Sequence, residues 1–168
     1  MSFSKIRGAV RILEVAIRLH FEERDILAVH CLAAACHQVV HDLAQKRGLS
    51  THLRHKQFSP GGIGPGDWKR FLRYPENFLK HADRDPMSSS EEMPELVELL
   101  IYDACNTLVE LGESSFVSDV YRAWFEFKGT PSARSSARPE VRERLLADRQ
   151  IWISILDGGP VALERILH

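Results

Sequence analysis

The sequence has few cysteines, and their spacing excludes a disulfide-stabilised scaffold. It has an odd number of cysteines, namely Cys31, Cys36 and Cys105. None of them belongs to a Cys-x-x-Cys pair. Small secreted domains that depend on disulfides carry more cysteine, in matched numbers. The N-terminus also lacks the apolar segment and small-residue cleavage site of a secretory signal. We therefore predict reduced thiols and a cytoplasmic location.

The sequence also lacks a long apolar run and a strong excess of either charge. No run approaches the roughly 18 apolar residues that a membrane span needs, so no membrane segment is predicted. The 22 Lys and Arg nearly balance the 23 Asp and Glu, for a formal net charge of -1. This balance excludes a strongly basic protein that coats nucleic acid, but it allows local basic contacts.

Apolar residues at helical spacing recur along the chain, whereas the period-2 alternation of a β-strand persists nowhere. Ser4 is placed to cap a first helix, and a second is predicted from Ile26 to about Arg47, ending before Gly48. Because the turn between these two long helices is short, we expect them to pair as an up-down unit.

Further helix starts are predicted at Pro75, at Pro94 and after Ser115, and a last helix is predicted near the C-terminus. A length of 168 residues suits one domain with a proper core. We therefore predict an all-α, single-domain bundle of about five main helices over residues 1–168. Residues 128–139, rich in Gly, Pro, Ser and Arg, are predicted to form a flexible linker.

The densest group of polar side chains lies between Tyr74 and Pro86. On a helix that starts at Pro75, Asn77, His81 and Arg84 fall at i, i+4 and i+7 and share one face. An imidazole is a general acid or base near neutral pH, a guanidinium holds phosphate, and an amide positions a hydroxyl or water. These three are the predicted catalytic residues, with the chemistry of metal-independent phosphodiester cleavage.

Neighbouring charged residues complete this prediction and also supply its alternative. Arg73, Asp83 and Asp85 are predicted to contact the substrate. In the alternative, the same groups only lock the fold: His81 donates to a backbone carbonyl, and Arg84 pairs with Asp83 or Asp85.

The pattern Asn77-x3-His81-x2-Arg84 resembles the core motif of HEPN-type helical bundles, especially their abortive-infection branches. In that motif an Arg-Asn pair is followed by a His four residues after the Asn. This chain departs from the motif at Glu76, which stands where the Arg is expected; the nearest upstream arginine is Arg73. The resemblance implies an up-down helical fold, a homodimer with both motifs facing one cleft, and metal-independent action on RNA or a nucleotide.

Helix two carries a second group of candidate residues. His30, His37 and His41 lie within about 40° of each other at about 100° per residue, beside the apolar stripe. We predict that they line a seam between the core and solvent, or between two subunits. His37, His41 and Asp42 are then placed to orient His81 or to contact the substrate.

The spacing His37-x3-His41 also matches half of a two-histidine metal site. If His81 and Asp83 approached, three imidazoles and a carboxylate would surround a metal ion. Because this pair lacks the Glu of H-E-x-x-H, our main prediction includes no metal and no cofactor.

The aromatic residues are predicted to belong to the core, because they recur at helical spacing. They are Trp68, Phe71, Phe78, Trp124, Phe125 and Phe127. The sequence therefore supports three hypotheses: a HEPN-like RNA-directed ribonuclease or RNA-binding relative, a non-enzymatic homodimeric interaction module, and a His/Asp metal-binding bundle.

Overall fold

The computed structural model describes residues 2–49, 51, 53, 64–81, 83–84, 86–129 and 148–167. For residues 65, 69, 73, 75, 76 and 160–167 the description is of the backbone alone. All regular secondary structure in these ranges is helical, which confirms the all-α prediction. Most of the predicted linker lies outside the described residues.

The described ranges contain six helices, which we number in chain order. They are α1 (Lys5–Phe21), α2 (Ile26–Lys46), α3 (Pro65–Lys80), α4 (Pro94–Glu110), α5 (Phe116–Gly129) and α6 (Arg149–Leu167). The last is interrupted at Gly159, whose φ of 67° is non-helical.

Helices α1 and α2 form where the capping residues predict them. The Ser4 hydroxyl accepts a hydrogen bond from the Arg7 amide at 3.3 Å, and the Asp25 carboxylate accepts one from the Ala28 amide at 2.9 Å. Each bond satisfies one of the amides left without a partner at a helix start. Helix α2 ends just before Gly48, whose φ of 72° lies in the left-handed region that favours glycine.

All six helices contribute buried side chains to one apolar core, with α2 packed against both α1 and α4. An aromatic cluster closes the end near α6. Phe21 stacks on Trp152 at 6.1 Å between ring centroids and meets Trp124 edge-on at 5.4 Å. Such pairs add about 0.5–1.5 kcal/mol each beyond their buried area.

Helix α3 differs from the prediction at both ends. It is one helix from Pro65 to Lys80, so the predicted start at Pro75 is wrong. Pro75 removes one backbone hydrogen bond. The helix continues because Leu72 is buried in the core before it and Phe78 lies against α2 after it.

The C-terminal end of α3 also corrects the predicted face. His81 is the capping residue, with φ -117° and ψ 36°, and Arg84 lies beyond it in a turn. Asn77, His81 and Arg84 are therefore not on one continuous helical face.

Helix α2 is long and apolar enough, by length and composition, to cross a membrane. Within the chain, 44% of its most apolar 18-residue window is buried. Core helices of globular proteins meet the same criterion, because a helix that packs on two sides is apolar on both. The sequence prediction found no such run because histidines interrupt this one.

Candidate functional site

The predicted catalytic residues meet at the C-terminal end of α3. The His81 amide donates to the Asn77 carbonyl at 3.1 Å, and the Arg84 amide donates to the His81 carbonyl at 2.9 Å. These two backbone bonds fold the segment into one compact turn. Asn77, Asp83 and Arg84 are exposed and His81 is partly buried, so the group faces solvent.

The alternative hypothesis, in which these polar side chains only stabilise the fold, requires hydrogen bonds or ion pairs among them. The structure shows no such contact in the part of the chain that it describes. There, the side chains of Asn77, His81 and Arg84 form no hydrogen bond with one another, and Arg84 forms no ion pair with Asp83. Asp85 and the side chain of Arg73 lie outside the described residues. An accessible, unlocked group is compatible with a ligand site.

A small cavity adjoins this end of α3. It has a volume of about 160 Å³ and lies between Phe78, Leu27 and His30 at the start of α2 and Glu91 to Met93 before α4. The cavity shows that the end of α3 lies beside the first turns of α2. His30 is therefore the α2 histidine near the predicted catalytic group.

The other two α2 histidines lie farther along the helix. His37 and His41 are seven and eleven residues beyond His30, which is about 10 Å and 16 Å along the axis at 1.5 Å per residue. Asp42 is exposed and accepts a hydrogen bond from Gln38 at 2.7 Å. The structure thus places Asn77, His81 and Arg84 at one end of α3, but it places the predicted substrate contacts of α2 elsewhere.

The prediction that the α2 histidines line a seam with solvent is wrong. His30, His37 and His41 are only 4%, 0% and 7% exposed. Each is covered by a different part of the fold. His37 meets α4, where its ring Nε2 lies 2.7 Å from Oδ2 of Asp103, which is itself 3% exposed. His41 meets Thr51 in the chain after α2, and His30 lies beside Phe78 of α3 and the chain before α4. No spacing in the sequence links two residues 66 positions apart.

The His37–Asp103 pair belongs to a buried polar network that reaches the chain between α2 and α3. The Leu53 amide donates to the second oxygen of Asp103 at 3.3 Å, and the Trp68 indole donates to the Leu53 carbonyl at 2.7 Å. His41 Nδ1 lies 2.6 Å from the Thr51 hydroxyl. The network connects α2, α4 and the first turn of α3.

The described residues contain no group of three or more His, Cys, Asp or Glu side chains placed to hold a metal ion. The predicted site of His37, His41, His81 and Asp83 is therefore not formed. His37 and His41 make core hydrogen bonds instead, because burial requires their ring nitrogens to be satisfied.

The aromatic residues divide between the core and the surface. Trp68 and Trp124 are buried, as predicted. Phe71 is 37% exposed, so its placement in the core is wrong, and Tyr74 is 39% exposed. Phe78 is half-buried. Helix α3 thus presents aromatic rings to solvent near the predicted catalytic group.

No protein-family model, curated protein or solved structure matches this chain.

Proposed function

We propose that this protein is a HEPN-like, up-down helical bundle of the cytoplasm that binds RNA and cleaves it without metal. The observation that carries the proposal is the accessible cluster of amide, imidazole and guanidinium at the end of α3. The motif resemblance favours the same chemistry. The three cysteines all lie within the described residues and form no disulfide, which agrees with a reducing compartment.

In the proposed reaction the 2′-hydroxyl of RNA attacks the adjacent phosphorus and His81 takes its proton. Arg84 holds the phosphate oxygens, and Asn77 positions the hydroxyl. The bond to the 5′-oxygen breaks, and that oxygen leaves with a proton from an acid. In a homodimer with facing motifs, His81 of the second copy supplies this proton. The products are a 2′,3′-cyclic phosphate and a 5′-hydroxyl.

The motif arginine, absent at Glu76, is supplied in this proposal by Arg73, by Arg84 or by the second chain. If none of them reaches the phosphate, the bundle is an RNA- or nucleotide-binding relative that does not cleave.

We expect His81→Ala to reduce RNA cleavage in EDTA by about 100-fold, the lower range for removing a general acid or base. Its melting temperature should change little, because the described His81 side chain makes no hydrogen bond. The measurement is single-turnover cleavage of a labelled RNA pool. Met87→Ala, at a neighbouring position that is 93% exposed, is the matched control and should cleave like the wild type.

A strand with 2′-deoxyribose at every position provides a second control and should remain intact. Equal cleavage by wild type and His81→Ala would contradict the role of His81. Binding without cleavage by the wild type would select the non-cleaving relative. Neither binding nor cleavage would leave the interaction module as the function.

A homodimeric interaction module is the second candidate, because the outer face of α1 and α2 is apolar. A surface groove of about 340 Å³ there is lined by Ile12, Val15 and Leu32. Phe3, at its edge, is 68% exposed and Val15 is 48% exposed. An apolar patch of this kind marks an interaction surface, and in this candidate a second copy covers it.

Val15→Glu should therefore convert a dimer into a monomer, measured by light scattering after size-exclusion chromatography. The reason is that a dry interface strips water from the carboxylate, and the attraction of Arg11, which lines the same groove, does not repay that cost. Val109→Glu introduces the same charge at a similarly exposed position of α4 and should leave the dimer intact. A monomeric wild type that binds phospholipid vesicles through this face would contradict the homodimer.

A further inference from the structure

Three aromatic rings form a stripe along α3. At about 100° per residue, Phe71, Tyr74 and Phe78 lie within about 60° of one another around the helix. They span about 10 Å along its axis at 1.5 Å per residue. Phe71 stacks on the buried Trp68 at 5.6 Å, and the rings of Tyr74 and Phe78 are 6.0 Å apart. These contacts orient the rings before any ligand arrives.

A polar stripe runs beside the rings. Arg70 and Asn77 lie within about 20° of each other around the helix and about 80° from the centre of the aromatic stripe. His81 caps the helix about one turn beyond Asn77. The Arg70 side chain is 81% exposed, and its contact with Asp67, at 3.6 Å, is also exposed. Such a surface pair contributes little, so a phosphate competes readily for this guanidinium.

The charge of this part of the chain differs from the rest. Residues 51–85 carry seven Lys and Arg and four Asp and Glu, whereas the remaining residues carry 15 and 19. An almost neutral protein thus places its positive charge in the segment that contains α3. A polyanion is attracted to this segment and repelled by the remainder.

We propose that the outer face of α3 is a binding track for single-stranded RNA. Bases stack on the exposed rings of Phe71 and Tyr74, and the phosphates pass along the stripe of Arg70. Both stripes run to the C-terminal end of the helix, so the track delivers a phosphodiester to His81. This inference rests on the proposed function, because it names how that site holds its substrate.

Single-stranded RNA fits this face better than an apolar partner. Every base has a π-face, so stacking is independent of sequence, and it is combined with a cationic groove in proteins that bind single strands. An apolar partner would gain most from Leu79, which is 45% exposed. Leu79 is about 80° or more from each ring, so it does not extend the aromatic stripe.

The test is the affinity of the full-length protein for a fluorescent 2′-O-methyl oligouridylate, which cannot be cleaved, measured by anisotropy. Phe71→Leu and Tyr74→Leu should each weaken binding roughly 5- to 150-fold, the range for loss of one stacked base. Arg70→Ala should lower the salt dependence of log K by about one phosphate contact. Leu79→Ala is the matched control and should bind like the wild type.

Each other outcome overturns either the binding track or the proposed RNA function. Unchanged affinity in both ring variants, with folding confirmed by the melting temperature, would overturn the track and leave the proposed RNA function in place. No binding by the wild type would overturn the RNA function itself. An equal loss in Leu79→Ala would show nonspecific apolar contact, as expected for a peptide or a second copy, and would also overturn the track.

Discussion

Asp103→Ala is expected to lower the free energy of unfolding by about 3 to 5 kcal/mol, the cost of removing one partner from a buried charged or hydrogen-bonded pair. The carboxylate of Asp103 is bonded at both oxygens, to the His37 ring and to the Leu53 amide. His37 is fully buried, so water cannot replace the lost acceptor without opening the core. The measurement is urea unfolding at neutral pH.

Asp119→Ala is the matched control. Asp119 is also a helical aspartate with a side-chain partner, but its contact with Arg122 is 3.7 Å long and half-exposed. Surface pairs contribute about 0–1 kcal/mol, so this variant should stay close to the wild type. Similar losses in the two variants would show that the buried network does not stabilise the fold.

The second large effect is expected from pH. Burial, together with the nearby cations of Arg149 and Lys128, lowers the pKa of His20 from 6.5 to about 4. His20 packs edge-on against Tyr121 and Trp124, and its Nε2 has no hydrogen-bond partner among the described residues. The folded protein therefore holds this ring neutral.

The direction in which stability changes with pH follows from the number of protons that the folded and unfolded states bind. Between pH 6.5 and about 4 the unfolded chain carries the His20 proton and the folded protein does not. The contribution of His20 to stability is thus complete above pH 6.5 and is lost as the pH falls toward 4. A shift of this size corresponds to about 3 kcal/mol.

His20→Phe measures the contribution of His20 protonation to the free energy of unfolding, because it keeps an aromatic ring and removes the titrating group. We expect the stability difference between His20→Phe and the wild type to change by about 3 kcal/mol from pH 7 to pH 4, in favour of the variant. Other titrating groups are shared and cancel in the difference. His20→Leu serves as a second non-titrating variant. Parallel pH profiles would contradict a buried neutral His20.

Local signals predicted most of the helices. Ser4, Asp25 and Gly48 act at their own positions through backbone amides or backbone conformation, so the bounds of α1 and α2 could be predicted from neighbouring residues. Pro75 misled the prediction because proline is favoured at a helix start. Its position inside α3 depends on packing against α2, which no local pattern records.

In the candidate site, closeness along the chain could be predicted, and burial could not. The predicted shared face of Asn77, His81 and Arg84 is wrong, because α3 ends at Lys80 and Arg84 lies in the turn beyond it. Only their closeness in sequence keeps them at one end of α3. The burial of His37 and His41 could not be predicted, because it depends on Asp103 of α4 for His37 and on Thr51 of the chain after α2 for His41. The exposure of Phe71 was not predicted, because helical spacing shows which residues share a face of the helix but not which face the other helices cover.

The backbone of Leu53 forms hydrogen bonds with both α3 and α4. Its amide donates to Asp103 of α4 and its carbonyl accepts from Trp68 of α3, so the backbone of one residue links the two helices. Because every residue except proline has both backbone groups, another apolar side chain of similar size at position 53 would preserve the alignment. The chain can therefore diverge here over evolution while the end of α3 keeps its place against α2.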